Sequence, residues 1–402
     1  MVLRGATLID GTGAPARPAS VVTDGERIRA IDGDAPPGAT ELDLSGHTLL
    51  PGLIDAHTHL GLLELDAQIE GAIPAAVMAA KIFGNASRLL ESGFTTARDL
   101  GGVDGGLAQA IEGGLVRGPR LFPSGPVLCQ TGGHGDFGHP FHPHMHGIPG
   151  LAQASIVCDG PDAVRVAART ALRRGATQVK VCVSGGVMSR TDALEDAQFT
   201  VLELRAAVEE AAARRTYVTA HAHTVGGIRN GLAAGVECFE HGTFLDEETV
   251  ASMAQARVAL VPTLAVLRVA GENWREMGIP EDLLPRFEGV EDGMNASIKL
   301  AYAAGIPIGS GSDLFGSSQS RFGLELAMKA RILGPMEAIL SATATNAGII
   351  RRSRDLGTVE TGKLADLIAV RGNPLSDPEL FDDANNVTLV VKGGRIEKNL
   401  LG

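Results

Sequence analysis

Hydrophobic and polar positions alternate with a period near two at both ends of the chain and follow a mixed strand-and-helix rhythm between them. Near the start, Val2-Leu3-Arg4-Gly5-Ala6-Thr7-Leu8-Ile9, Ile28-Arg29-Ala30-Ile31 and Thr48-Leu49-Leu50 form short strand-like segments, with Asp10-Gly11 and Asp32-Gly33 as turn signals. From about residue 51 to 355, apolar runs alternate with stretches rich in Ala, Glu and Arg, such as 162–174 and 201–215, whose spacing predicts helices. That alternation predicts βα units around a parallel sheet. After about residue 356 the short strands return, at 365–370 and 387–396. The two ends, residues 1–50 and 356–402, are expected to pair as one small β-sandwich domain.

Within residues 51–355 the predicted strands end at His59, Arg98, Leu128, Val183, His223, His241, Leu264 and Asp313. Eight such units fit an α/β fold of the (β/α)8 TIM-barrel type, with an open parallel sheet as the alternative the pattern allows. In a barrel the C-terminal ends of all strands converge on one face. Residues far apart in sequence then meet at one site.

Composition narrows the class. The chain has 402 residues, 44% hydrophobic and 20% charged, enough for one large barrel or two domains with substantial cores. A net charge of −12 without any Lys/Arg run argues against nucleic acid as a partner. The first residues, Met1-Val2-Leu3-Arg4-Gly5-Ala6, lack the apolar run of a secretory signal, and no stretch reaches the roughly 18 apolar residues of a membrane span. A cytoplasmic protein without membrane partners is the expectation. The four cysteines, Cys129, Cys158, Cys182 and Cys238, have no CxxC spacing and read as small buried thiols.

Candidate chemistry sits at the predicted strand ends. Lys180 interrupts the apolar run Thr177-Gln178-Val179-Lys180-Val181-Cys182-Val183. A buried amine is costly unless it is paired or chemically altered. Reaction with CO2 would turn it into a carbamate, an anionic oxygen ligand able to bridge two metal ions. In His57-Thr58-His59 the two imidazoles fall on the same side of a strand, so both can serve one ion. His221-Ala222-His223, His241 and Asp313 follow. Each alone has an ordinary explanation: a surface histidine pair, an edge lysine with its amine in solvent, a structural histidine, an aspartate capping the next helix. Their occurrence together, in this order, favours one site.

The run Pro51-Gly52-Leu53-Ile54-Asp55-Ala56-His57-Thr58-His59 resembles the signature of the metal-dependent amidohydrolase superfamily. The likeness extends to the C-terminal Gly357-Thr358-Val359-Glu360-Thr361-Gly362-Lys363-Leu364-Ala365-Asp366-Leu367. His221-Ala222-His223-Thr224 and Glu240-His241-Gly242 are similar to the branch holding Xaa-Pro and Xaa-Arg dipeptidases, ochratoxin-type amidases and imidazolonepropionase-like hydrolases. The resemblance implies that His57, His59 and Asp313 bind one divalent metal, that His221 and His241 bind a second, and that carboxylated Lys180 bridges both. Zinc is the metal first expected from imidazole and carboxylate-type ligands. A hydroxide shared by the metals would attack an amide carbonyl, with Asp313 moving the proton to the leaving nitrogen. His134, in Thr131-Gly132-Gly133-His134-Gly135-Asp136, resembles the family histidine that contacts the scissile group. His223 is expected to contact substrate, although the choice between His221 and His223 as direct ligand stays open.

Other features receive smaller roles. The neighbouring His139, His142, His144 and His146 read as a solvent-exposed lid rather than a metal site. Arg98 and Asp99 are expected to form a structural ion pair. Residues 266–295, with Trp274, Arg275 and Arg286, are expected to form a loop and helix near the mouth. Residues 357–363 imitate a phosphate loop, but Leu364 replaces the needed Ser/Thr. Gly309-Ser310-Gly311 lacks the last glycine of a dinucleotide fingerprint, since Leu314 stands there.

The resemblance also ranks the possible reactions. Mononuclear deaminases of the superfamily carry a glutamate three residues after the strand-five histidine, where this chain has Thr224, so deamination is disfavoured. The leading expectation is a binuclear amidohydrolase of the prolidase type, cleaving dipeptides or N-acyl amino acids and acting as a homo-oligomer. The alternatives are a hydrolase of a cyclic amide or lactone, or an inactive barrel serving as an assembly subunit.

Overall fold

A computed structural model of the chain describes residues 1–65, 67–137, 147–189 and 191–401. The segments from the two chain ends share one eight-stranded sheet. Val2–Leu8 pairs antiparallel with Arg17–Asp24 and parallel with both Glu41–Asp43 and His47–Pro51. His47–Pro51 then pairs antiparallel with Leu367–Arg371, which leads to Val387–Lys392 and Arg395–Asn399. Hydrogen bonds join all these strands in one ladder, so the pairing itself draws no division into two stacked sheets.

Strand alternation explains how this sheet is buried on both sides. Leu49, Leu367 and Ala369 belong to a cluster with Leu3, Val21 and Ile28. Their neighbours Leu50, Ile368 and Val370 point the other way, into the main core of the central region. The sheet is thereby fastened to the rest of the molecule through one face.

The central region is α/β, with parallel strands and helices alternating along the chain. Three strands, Leu53–Thr58, Phe94–Asp99 and Arg120–Pro123, form one parallel sheet. Six others form a second in the spatial order Ser155–Val157, Val127–Cys129, Val179–Cys182, Val218–Thr224, Cys238–Phe244, Ala259–Val261. The expected helices fall at Pro161–Arg173 and Val201–Ala213, the latter started by a reciprocal cap between Thr200 and Glu203. Among the described residues no helix is long and apolar enough to cross a membrane.

Three expected strand ends differ from the structure, each for a local reason. The strand expected to end at Leu128 is two pieces in different sheets, because Gly125 takes φ +68 and Pro126 has no N–H to donate. The strand expected to end at Leu264 stops at Val261, before Pro262, and Leu264 opens a helix to Asn273. The segment leading to Asp313 is irregular rather than a strand.

That last segment nevertheless links the two parallel sheets. The Leu260 N–H donates to Pro307 O at 3.0 Å and the Ala56 N–H to Ser310 O at 2.9 Å. The Asp313 N–H reaches His57 O at 2.8 Å. Side chains replace the ladder where it fails: Ser310 N–H donates to Asn346 Oδ1 and Ser312 N–H to Asp55 Oδ1, both at 3.1 Å. Gly311 permits this approach, because a Cβ there would overlap the Cβ of His57.

Candidate metal centre

All eight residues singled out in the sequence, His57, His59, His134, Lys180, His221, His223, His241 and Asp313, line one cavity. They arrive from six stretches of chain. His57 and His59 share a side of their strand, and their Nε2 atoms lie 3.2 Å apart. Asp313 Oδ1 lies 3.4 Å from His57 Nε2 and 3.1 Å from His59 Nε2, and its other oxygen lies 3.8 Å from His241 Nδ1.

Among the described residues, two sets of donor atoms are close enough for shared coordination. In one set, His57, His241 and Asp313 offer atoms within 4.8 Å of one another, and in the other His221, His223 and His241 do the same. Both members of the His221/His223 pair therefore stand in the second set. Lys180 lies on the strand beside them, in the register that places Cys182 opposite His221. Its amine is buried and has no hydrogen-bond partner among the described residues.

Backbone strain concentrates at the same residues. His241 has φ 70 and Asp313 φ 56, left-handed conformations that side-chain-bearing residues adopt at some cost. At His241 the consequence is visible. In a regular strand Glu240 and His241 would face opposite ways, yet Glu240 reaches His57 Nδ1 while the His241 ring lies 5.2 Å from the His57 ring.

Each ligand-candidate imidazole uses one ring nitrogen outside the cluster. His57 Nδ1–H donates to Glu240 Oε2 at 2.8 Å, His59 Nδ1–H to Gly101 O at 2.9 Å, and His221 Nε2–H to Gly185 O at 3.2 Å. Nδ1 of His223 and of His241 meet the hydroxyls of Thr243 and Thr263, each at 2.7 Å. Carboxylates and carbonyls only accept, so in the first three rings the opposite nitrogen is left with a lone pair. This is the arrangement that orients histidines toward a cation.

Electrostatics favours the neutral form of four of these five imidazoles, His59 being the exception. Burial lowers His57 to about 4 and His223 to about 3, and pushes His221 and His241 well below the ordinary imidazole range. Burial would raise the Asp313 carboxyl, but the facing His57 and His59 rings outweigh it and hold Asp313 low. His59 moves the opposite way, since Asp313 outweighs its burial. Burial also lowers the Lys180 amine, favouring the neutral, nucleophilic form. Imidazole and carboxylate donors together fit a divalent cation.

Glu240 is the functional residue that sequence reasoning missed. Fully buried, it accepts from His57, from Arg98 Nη2 at 2.7 Å and from the Thr219 hydroxyl. Although burial opposes ionisation, Arg98 holds the Glu240 carboxyl well below the usual range. The expected Arg98–Asp99 ion pair is therefore replaced. Successive strand residues point apart, so Arg98 turns inward to Glu240 while Asp99 accepts from the backbone N–H of Leu60 at 2.7 Å and of Gly101 at 3.2 Å. The signal in the sequence was the inward arginine itself, which needs a buried counter-charge.

His134 follows the strand Val127–Cys129 and stacks on His221 with ring centroids 4.0 Å apart. His139, His142, His144 and His146 lie outside the described residues. The mouth segment contains the helix Leu264–Asn273, the 3-10 turn Glu281–Phe287 and the start of the helix Val290–Ala303.

A family model described as the amidohydrolase family matches residues 48–396. The chain belongs to the amidohydrolase family. Ochratoxinase from Aspergillus niger is 34% identical to it over an alignment covering 97% of this chain and 85% of that protein. The crystal structure of a prolidase complexed with N-methylphosphonate-L-proline superposes with a TM-score of 0.93 at 36% identity, covering 99% of each chain. A Xaa-Pro dipeptidase with methionine bound in its active site superposes with a TM-score of 0.88 at 32% identity, covering 98% of each. This amidohydrolase is a hydrolase that acts on amide bonds, in the branch of these relatives.

Proposed function

We propose that this amidohydrolase is a binuclear metal-dependent enzyme that cleaves the amide bond of dipeptides or N-acyl amino acids. The observation that carries this reading is the meeting of two donor sets at His241, with the unpartnered Lys180 amine on the adjoining wall. His57, His59 and Asp313 are assigned to one ion and His221 and His241 to the other. Burial shifts the Lys180 amine toward its neutral form, in which its nitrogen would add to CO2 and release a proton to solvent, and the carbamate oxygens would then serve as ligands to both ions. Zinc suits this donor set.

Ions held by these residues would supply Lewis acidity and a more acidic water. Asp313 takes the proton of that water and delivers it to the leaving nitrogen. Its oxygens span from His59 to His241, so a small rotation carries the proton across the cavity. His134 and His223 meet the scissile group. The apolar wall formed by Leu62, Leu65, Val187, Met188, Val266 and Leu267 supports a substrate with an apolar side chain.

The central strands are read as a (β/α)8 barrel over residues 51–355, a reading supported by the hydrogen bonds of 307–313 to both sheets and of Thr177 N–H to Pro123 O at 2.8 Å. The terminal segments, 1–50 and 356–402, are read as a sandwich-like domain seated on it.

The deciding experiment measures metal content and carboxylation of protein prepared with zinc and isotopically labelled bicarbonate. It then screens dipeptides, N-acyl amino acids, cyclic amides and lactones for hydrolysis. Two ions per chain, a labelled carbamate and turnover of linear amides are expected. A single ion, or turnover confined to the cyclic amides and lactones, overturns the reading.

A further inference from the structure

Behind His134 runs a closed, buried circuit of hydrogen bonds that the proposed chemistry does not use. His134 Nδ1 lies 3.0 Å from the Ser189 hydroxyl, which contacts Asp192 Oδ1. The other oxygen of Asp192 accepts from Gln198 Nε2 at 2.7 Å, and Gln198 Oε1 accepts from the backbone N–H of His134 at 3.0 Å. Ser189 and Asp192 are both buried. The ring is confined as well: it stacks on His221, and a Cβ added to Gly186 would overlap it.

The direction of each hydrogen bond in this circuit follows from what the groups can do. An ionised carboxylate only accepts, so the Ser189 hydroxyl donates its one proton to Asp192. The competing acceptor, Gly186 O, is farther away at 3.3 Å. Ser189 Oγ is then an acceptor toward the ring, and His134 Nδ1 must carry the hydrogen. Nε2 is the ring nitrogen left outside this circuit, on a side chain that lines the cavity.

A clamp holds the circuit in place. Arg286, from the 3-10 turn Glu281–Phe287, donates through Nη1 to Ser189 O at 2.7 Å and through Nη2 to Asp192 O at 2.8 Å. The backbone that supplies Ser189 and Asp192 is thus pinned from across the mouth.

We propose that Ser189 and Asp192 are positioning residues that fix His134 in its Nδ1–H form, with Arg286 holding their loop, so that Nε2 always meets the scissile amide. This rests on the contact of His134 with substrate given under the proposed function. The chain acts as the aspartate of a hydrolytic triad does, by setting the tautomer and orientation of an imidazole rather than by moving protons itself.

Two measurements test it separately from that function. Nitrogen-15 NMR of the histidines in metal-free protein, with His134→Asn to assign the signal, is expected to find His134 protonated on Nδ1. Ser189→Ala is expected to lose that preference. An Nε2–H form in the unaltered protein overturns the proposal whatever the substrate. In turnover of the best-cleaved N-acyl amino acid, Ser189→Ala and Asp192→Asn are each expected to lower kcat about 10- to 100-fold with KM little changed. Metal content should stay at the unaltered level. Ser189→Thr, which keeps the hydroxyl, is expected to recover most of the loss. On a His134→Asn background, Ser189→Ala is expected to have no further effect. A further loss there, or an unchanged kcat in both single variants, overturns the proposal. Full activity of His134→Asn alone overturns the substrate contact of His134 but leaves the metal centre standing.

Discussion

Glu240 accepts the Nδ1 proton of His57 at 2.8 Å, and so decides which nitrogen of that ring faces the cavity. Its other oxygen is held by Arg98 at 2.7 Å, so a buried charge pair stands directly behind a candidate metal ligand. Glu240→Gln keeps the shape but weakens the acceptor for His57. It is expected to lower zinc affinity by about 10- to 100-fold, read by competition with a chromogenic chelator. Glu240→Ala leaves Arg98 buried and unpaired and is expected to cost about 3–5 kcal/mol in urea unfolding. Unchanged affinity in the glutamine variant would remove the orienting role.

Asp313 separates chemistry from backbone strain. With φ 56 it occupies a region that asparagine tolerates nearly as well as aspartate. Asp313→Asn is expected to fold with little change in stability while losing the proton acceptor, lowering kcat by about 10²-fold or more. Asp313→Ala loses the same group and adds about 1–2 kcal/mol of left-handed backbone cost. Equal unfolding midpoints for the two variants would count against strain at this position.

The sequence revealed the site better than the walls that carry it. His57, His59, His221, His223 and His241 were recoverable because strand alternation places i and i+2 on one face and because strand ends converge. Glu240 was not, since alternation assigns it the side opposite His241. Only the left-handed turn at His241 brings both inward, and nothing in Phe239-Glu240-His241-Gly242 announces that turn. The irregular segment before Asp313 was misread for a related reason. Its backbone bonds to the Asn346 and Asp55 side chains, one of them 36 residues away from Ser310, and such non-local partners leave no periodic signal.

Close packing behind His57 gives a contrast between two glycines. A Cβ at Gly311 would overlap the His57 Cβ and come within 2.9 Å of Val261 Cγ1, with the His57 backbone nitrogen at 3.0 Å. Backbone yields poorly, so Gly311→Ala is expected to cost about 1–3 kcal/mol and to displace His57 enough to lower zinc content. Gly271, inside the helix Leu264–Asn273, has open space around it. Gly271→Ala is expected to stabilise the protein by about 0.5–1 kcal/mol with zinc content unchanged. Thermal unfolding and metal analysis of the two variants side by side test the packing argument.

Lys180 should trade stability for metal. In the metal-free protein its amine is buried without a hydrogen-bond partner, a state whose desolvation costs about 1–3 kcal/mol. Lys180→Met keeps the length and apolar stem while removing that polar group. The metal-free variant is therefore expected to unfold at higher urea concentration than the unaltered metal-free protein. Zinc and bicarbonate should reverse the order, because ions that bind only the folded state stabilise it more the more tightly they bind, and the variant could not form the proposed bridge. A methionine variant that is less stable without metal would mean that the amine is satisfied before any cation arrives. The case for a lysine held ready for CO2 would then fail.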